Sequence, residues 1–396
     1  MSTPHRLSRS IWHHWLASIA LVLVATATAA ACLWDSDTLR MESESFPGVA
    51  EVLTGRFERQ PPKYYQMRLD RVSRLLEKDA TLLDAYDDAG VACDRLGRSD
   101  DAIAWMTRKA EALVKSNPKA VATKDHQYRY HSNLGTFHAH RWIRSGADRS
   151  NLADLKTAEA EIAEAIRINP DAHFGREKYQ LAAIRWLIEL PAVTRYEPPT
   201  FLRALVQTSD GLKDPSFSPA DAVKGLAGLI VMGDAWQSVD VHWALGAALR
   251  GHYDSSIAYL ARLRMQELIS QGRKSFHPSF DPERRVLQEL GSGGSPYLDA
   301  VRDIDAYFTK ARAAADTWQQ ARWEFMEARF ALGKHPDTHA DFWSGWSHAP
   351  APELPDESYA PLLDRVLFWA VVSIAAIAAS LVARFLIRRL RRAATR

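Results

Sequence analysis

Histidines and carboxylates are the residues of this chain with most capacity for chemistry, and their spacing limits what they can do. His131, His138 and His140 lie close together, and His335, His339, Asp341 and His348 form a second group. On a helix His138 and His140, two positions apart, point to different faces and cannot share a metal ion. His335 and His339 have helical spacing, but the intervening Pro336 favours a turn. Glu159, Glu161 and Glu164 read as one solvated helix face, whereas an acid/base pair needs a cleft to act in. The phosphate loop, the dinucleotide fingerprint, HExxH, GxSxG and the haem-attachment CxxCH are all missing from the sequence. No catalytic residue, metal or cofactor is expected.

Composition agrees with a binding role and narrows the partner. The chain has 396 residues, room for two or three domains or one long repeat array. With 47% hydrophobic and 25% charged residues it can build a core. A net charge of +2 argues against a dedicated nucleic-acid binder, which carries a basic face. Cys32 and Cys93 cannot form a disulfide framework.

Both ends carry apolar runs of bilayer length. Trp15–Trp34 is apolar and uncharged, follows Arg6 and Arg9, and precedes Asp35 and Asp37. It reads as a transmembrane signal anchor behind a cytoplasmic segment, residues 1–14. A cleaved signal peptide remains open through Ala29-Ala30-Ala31, as does lipidation of Cys32. The second run, 366–387, leads into Arg388, Arg389, Arg391, Arg392 and Arg396, which places the tail 388–396 in the cytoplasm. Trp343 and Trp346, like Trp15, Trp34 and Trp369, suit the membrane interface. The bulk of the chain is then extracytoplasmic, on the periplasmic side of a bacterial inner membrane.

No strand-like alternation of useful length occurs between the two runs, so the fold class is all-α. Residues 35–62 read as a juxtamembrane segment, 63–334 as a helical solenoid, and 335–361 as an extended Pro/Trp-rich strap. Within the solenoid, Asp84–Pro118 has a distinctive pattern: Tyr86, Ala89-Gly90, Cys93, Ala102, Met106 and Pro118, with Gly97 at the turn. Small residues at Gly90 and Ala102 allow close approach of two amphipathic helices. The segment resembles a tetratricopeptide repeat (TPR). A second such repeat runs from Leu134-Gly135 to Ala158, Ile162, Ala165 and Pro170, with an insert lengthening the turn near Ser145–Asp148. Gly291–Gly294 reads as a flexible break, and helices are expected at 297–314 and 317–332.

The resemblance implies a concave groove lined by the first helix of each hairpin. Its positions would be Asp84, Asp87, Val91, Asp94 and Arg95, then Arg129, Ser132, Thr136, Ala139 and His140. The alternative is a set of solvated helix faces. One TPR subclass clamps a terminal carboxylate; here only Asn133 and Arg176 match, while Asp87, Val91 and Ala172 do not. A carboxylate would be repelled by Asp87. The expected function is a membrane-anchored scaffold or adapter gripping a peptide segment of another exported or envelope protein, with the lipid bilayer as its other partner. An accessory subunit acting through its transmembrane helices, and an enzyme of unfamiliar type, remain as alternatives.

The topology is testable in cells. A fluorescent protein joined after Arg396 should glow, while alkaline phosphatase joined there should be inactive and joined after Pro361 active. The reverse pattern would overturn the orientation.

Overall fold

An amphipathic helix cannot bury its apolar stripe alone, so a chain of such helices must stack. The computed structural model describes residues 35–44, 46–115, 121–170, 172–190, 200–202, 205, 217–233, 235–250, 255–277, 298–355 and 369. The described residues are all-helical, with no strand among them. The helices are α1 (Ser36–Glu44), α2 (Val49–Thr54), α3 (Pro62–Lys78), α4 (Leu83–Arg95), α5 (Ser99–Val114) and α6 (Val121–Arg144). They continue with α7 (Ala153–Ile168), α8 (Arg176–Glu189), α9 (Pro219–Val231), α10 (Val239–Arg250), α11 (Ser255–Ser270) and α12 (Leu298–Ala331).

Local sequence explains the first hairpins. Pro62 opens α3, where its missing N–H costs nothing. Tyr64, Arg68, Leu69, Val72 and Leu76 then recur on one buried stripe. Gly97, at φ +77°, turns the chain between α4 and α5. A Cβ on Gly90 would stand 2.9 Å from Met106 and 3.0 Å from Phe137, so only glycine admits that approach.

Consecutive helices from α3 to α8 pack side by side, and α9 continues onto α8 and α10, α10 onto α11, and α11 onto α12. The last described helix then returns to the first, because α12 also packs against α2 and α3. Tyr64 of α3 shares a core with Met326, Phe330 and Phe342 at this closure. Inside the curl lies α2, whose Val52 and Leu53, with Phe57 beyond it, join the main core beside Leu226, Tyr307 and Phe308. Each such side chain contributes about 1.5–3 kcal/mol of burial.

Several expectations change. Residues 35–62 lead into the array and also form part of it: α2 is a core element whose Val52 and Leu53 are fully buried. The strap is not extended throughout. Residues 336–345 form turns folded onto α12, where Trp343 stacks on Phe325 at a 5.9 Å centroid separation and Phe342 is fully buried. Trp346 also packs on Phe325, so these tryptophans meet a helix of the same chain. The two helices expected at 297–332 are one helix of 34 residues, since Ala314–Thr317 contains no breaker and Arg312 pairs with Asp316 across it. The insert in the second hairpin is shared between the loop Ser145–Leu152 and longer flanking helices.

Among the described residues no helix is long and apolar enough to cross a membrane. The runs 15–34 and 366–387, apart from Trp369, lie outside the described residues, as do the segments 1–14 and 388–396 and the break at 291–294.

Two glycines with different surroundings test the close-packing argument. Gly225 of α9 would place a Cβ 2.3 Å from the Tyr179 ring, whereas at Gly246 of α10 the nearest atom, Ala261 Cβ, is 3.6 Å away. Gly225→Ala should cost about 1–3 kcal/mol through overpacking. Gly246→Ala should be neutral or stabilise by up to about 1 kcal/mol. Denaturant unfolding measures both, and equal effects would overturn the argument.

Candidate functional site

The strongest concentration of charge surrounds Arg68, a guanidinium 1% exposed. Its Nη1 donates to Asp37 Oδ2 at 2.9 Å and to Asp35 Oδ2 at 3.4 Å. Its Nε and Nη2 donate to the two oxygens of Asp337 at 2.8 and 2.6 Å. Tyr64 Oη donates to Asp37 at 2.6 Å, and Arg71 adds a bond to Asp337 at 2.6 Å. Asp88 faces the same group and accepts from the Ser36 amide and hydroxyl. Burial opposes ionisation of all four carboxylates, and Arg68 decides which overcome it. Its hydrogen bonds and charge hold Asp337 down at about 2 and lower Asp37. Burial pushes Asp88 up to about 7 and raises Asp35, which also feels Asp37. The result is a clasp joining the start of the described chain, α3 and the strap.

The groove positions expected from the sequence are largely consumed within the fold. Asp87 is buried and receives Lys109 Nζ on both oxygens at 2.6 Å and Asn133 Nδ2 at 3.0 Å. Burial raises its pKa despite Lys109. Asp84 and Asp125 both accept from Arg129, so Asp84, Asp87 and Arg129 form one network. Asp94 is buried between His140, at 2.9 Å, and Arg144. These two groups hold it well below the usual carboxylate range against the opposing effect of burial. Arg95 donates to the Met232 carbonyl at the end of α9, bridging the inside of the curl. Thr136 donates to Ser132 O at 2.8 Å and accepts from Gln180 at 2.9 Å. Arg176 is fully buried against Glu177. Asp87, Asp94 and Arg176 are therefore neither groove-lining nor solvated. The curl brings α6, α8 and α9 against those faces, and ion pairs replace water.

Asp84, Asp87 and His126 offer three ligand atoms within 4.8 Å of one another. Lys109 and Arg129 already give those carboxylates the positive partner that a metal would supply. Burial, Lys109 and Arg129 together pull His126 down to about 4, leaving it neutral. The remaining histidines named from sequence also act locally. His131 pairs with Glu161 at 2.6 Å, His138 with Asp154 at 2.8 Å, and His335 contacts the Tyr64 carbonyl at 3.1 Å.

An open concavity of about 540 Å³ lies between α6, α8, the end of α9, the start of α10 and the loop Gly272–Phe276. Thr136, Ala139 and His140 reach it from the expected set. Its walls are mainly apolar, with Ile184, Trp186, Leu187, Phe201 and Phe276, while Arg144, Arg273 and Lys274 bring positive charge. Asp240, the carboxylate in its lining, is buried and held by Ser275 Oγ at 2.5 Å and the Phe276 amide at 2.9 Å. Sequence reasoning missed this cleft because its walls come from five separated stretches. Lys109 was more legible, since Ala102, Met106 and Lys109 share one stripe of α5 and all are buried.

The raised carboxyl of Asp88 gives a signed expectation. Between its unfolded value near 4 and its folded value of about 7, the folded protein holds the extra proton, so stability falls as pH rises through that window. Melting temperature should thus be higher at about pH 5 than at about pH 8, and Asp88→Asn should flatten that slope by raising stability mainly at the higher pH. An unchanged slope in the variant would overturn the assignment.

No protein-family model, curated protein or solved structure matches this chain.

Proposed function

We propose that the chain is a membrane-anchored, extracytoplasmic helical scaffold of TPR-like construction that binds another exported or envelope protein, without catalysis. The observation that carries this reading is the Arg68 clasp. It fixes Asp35, the residue directly after the first apolar run, and Asp337, on the way to the second, to one buried guanidinium. A body tied at both ends of its described chain presents surfaces in fixed positions relative to its tethers. That is the mechanical requirement of a scaffold. The consumption of Asp87, Asp94, His131, His138 and His140 in internal pairs supports binding over chemistry.

The docking face that suits a protein partner is one edge of the first hairpins. The α3–α4 turn and the end of α5 lie at the same end of the α3–α4–α5 stack, and Leu75, Leu82 and Val114 are exposed there. Apolar side chains grouped at one edge, with exposed Arg74, Lys78 and Lys115 alongside Glu77, Asp79 and Glu111, suit a partner that is apolar at its centre and carries charges of both signs at its margin.

Chemical cross-linking in source membranes tests the reading. The intact chain should capture a specific protein that the triple variant Leu75→Glu, Leu82→Glu, Val114→Glu loses, with unchanged circular dichroism. Capture that survives the triple variant but disappears when 366–387 is replaced by an unrelated apolar helix would move the contact into that segment. Capture of nothing by the intact chain would overturn the scaffold reading.

A further inference from the structure

Two residues that line the inner cleft carry unmet hydrogen-bonding atoms. Trp186 Nε1, on a residue 6% exposed, and Gln180 Oε1 are buried, and neither has a hydrogen-bond partner among the described residues. Both residues line the cleft. Buried polar atoms are usually paired in folded proteins, and of the several unpaired ones among the described residues these two belong to side chains on one wall of the cleft. They are opposite in kind: the indole N–H needs an acceptor, and the amide oxygen needs a donor. Six residues apart on α8, they are separated by about 9 Å along the helix axis.

Charge adds a third constraint. Arg273 and Lys274 are exposed and make no ion pair among the described residues, and Arg144 stands on the opposite wall. Burial raises Asp240, whose oxygens already accept from Ser275 and Phe276. The lining is therefore positive. Its volume and largely apolar walls match those of sites that enclose small molecules, which span about 300–1,000 Å³.

We propose that this cleft binds an anionic amphiphile: a carboxylate or phosphate head on an apolar chain or ring system that also carries an N–H or O–H group. The head meets Arg273 and Lys274, and the body lies between Ile184, Leu187 and Phe276. An anionic head offers only acceptors, which can satisfy Trp186 but not Gln180. The donor must therefore lie within the body, as in an acyl amide. A plain fatty acid leaves Gln180 Oε1 unpaired. The same chemistry could arrive as a soluble acylated metabolite or as the head region of an anionic bilayer lipid.

Photolabelling tests this with the full chain in phosphatidylcholine nanodiscs and N-dodecanoylglycine bearing a diazirine in its acyl chain. Adducts are expected on residues 180–187 and 272–276. Unlabelled N-dodecanoylglycine should compete at a concentration about tenfold lower than dodecanoate, the worth of one buried hydrogen bond, and dodecyltrimethylammonium should not compete. Arg273→Glu with Lys274→Glu should weaken labelling about tenfold or more, with unchanged circular dichroism because both residues are exposed. Gln180→Met should erase the advantage of the amide while leaving dodecanoate competition intact. Adducts only elsewhere, competition indifferent to head charge, or equal competition by the two acids would each overturn the proposal. Including phosphatidylglycerol in the discs separates the sources: lost cleft labelling identifies the bilayer lipid, and retained labelling a soluble amphiphile.

Discussion

One guanidinium governs this fold. Arg68 is buried from water, a placement that costs several kcal/mol unless matched by charge and hydrogen bonds. The match comes from three places far apart in sequence: Asp35 and Asp37 before the array, Tyr64 on the same helix, and Asp337 after the last helix. None of these carboxylates is well placed without the arginine, and the arginine is not tolerable without them. The closure of the array is thus electrostatically all-or-none. The apolar contacts of Tyr64 with Met326, Phe330 and Phe342 lie beside the clasp and gain their burial only when it is made.

Closure explains features that an open solenoid would not have. A curved array left open must expose the apolar inner faces of its helices, whereas here α2 fills that space with Val52, Leu53 and Phe57. The segment after α2 is gripped by its backbone. Gln319 donates to the Arg59 carbonyl at 2.9 Å and accepts from its amide at 3.2 Å, and Arg312 donates to the Thr54 carbonyl at 2.7 Å. Backbone groups of a buried irregular stretch must be paired, and α12 provides those partners. An uninterrupted helix reaching from α11 to α3 positions Arg312, Gln319 and Arg322 along this one segment. Two shorter helices would not.

What the sequence made legible follows from range. The α4–α5 hairpin could be read because its signals lie within one helix pair: Gly90 opposite Met106, Ala102 fully buried, Gly97 at the turn. The all-α class followed from the same periodicity. The fate of Asp87, Asp94 and Arg176 could not be read. Whether a polar residue on a first helix faces solvent or another helix depends on how the array curves, which no single hairpin encodes. Lys109 was an intermediate case. A lysine on a stripe with Ala102 and Met106 announces a buried partner but does not say that the partner is Asp87. The candidate cleft was invisible for a further reason: Gln180, Trp186 and Lys274 have no shared spacing, and only the stacking of α8 on α9 and of α9 on α10 brings them to one concavity.

These points bear on how ligand binding and stability divide the molecule. Many of the buried ionisable groups in this fold come with counter-charges, as in Asp87 with Lys109, Asp94 with His140 and Arg144, and Asp337 with Arg68. Such pairs lock geometry and leave little free energy for recognition, since each atom is already satisfied. At the inner cleft, Gln180 and Trp186 carry buried polar atoms without a partner among the described residues, and the exposed cations Arg273 and Lys274 make no ion pair there. The two orphaned atoms carry a desolvation cost, whereas the exposed cations stay solvated and available to an anion. A ligand that pairs those atoms would recover that cost.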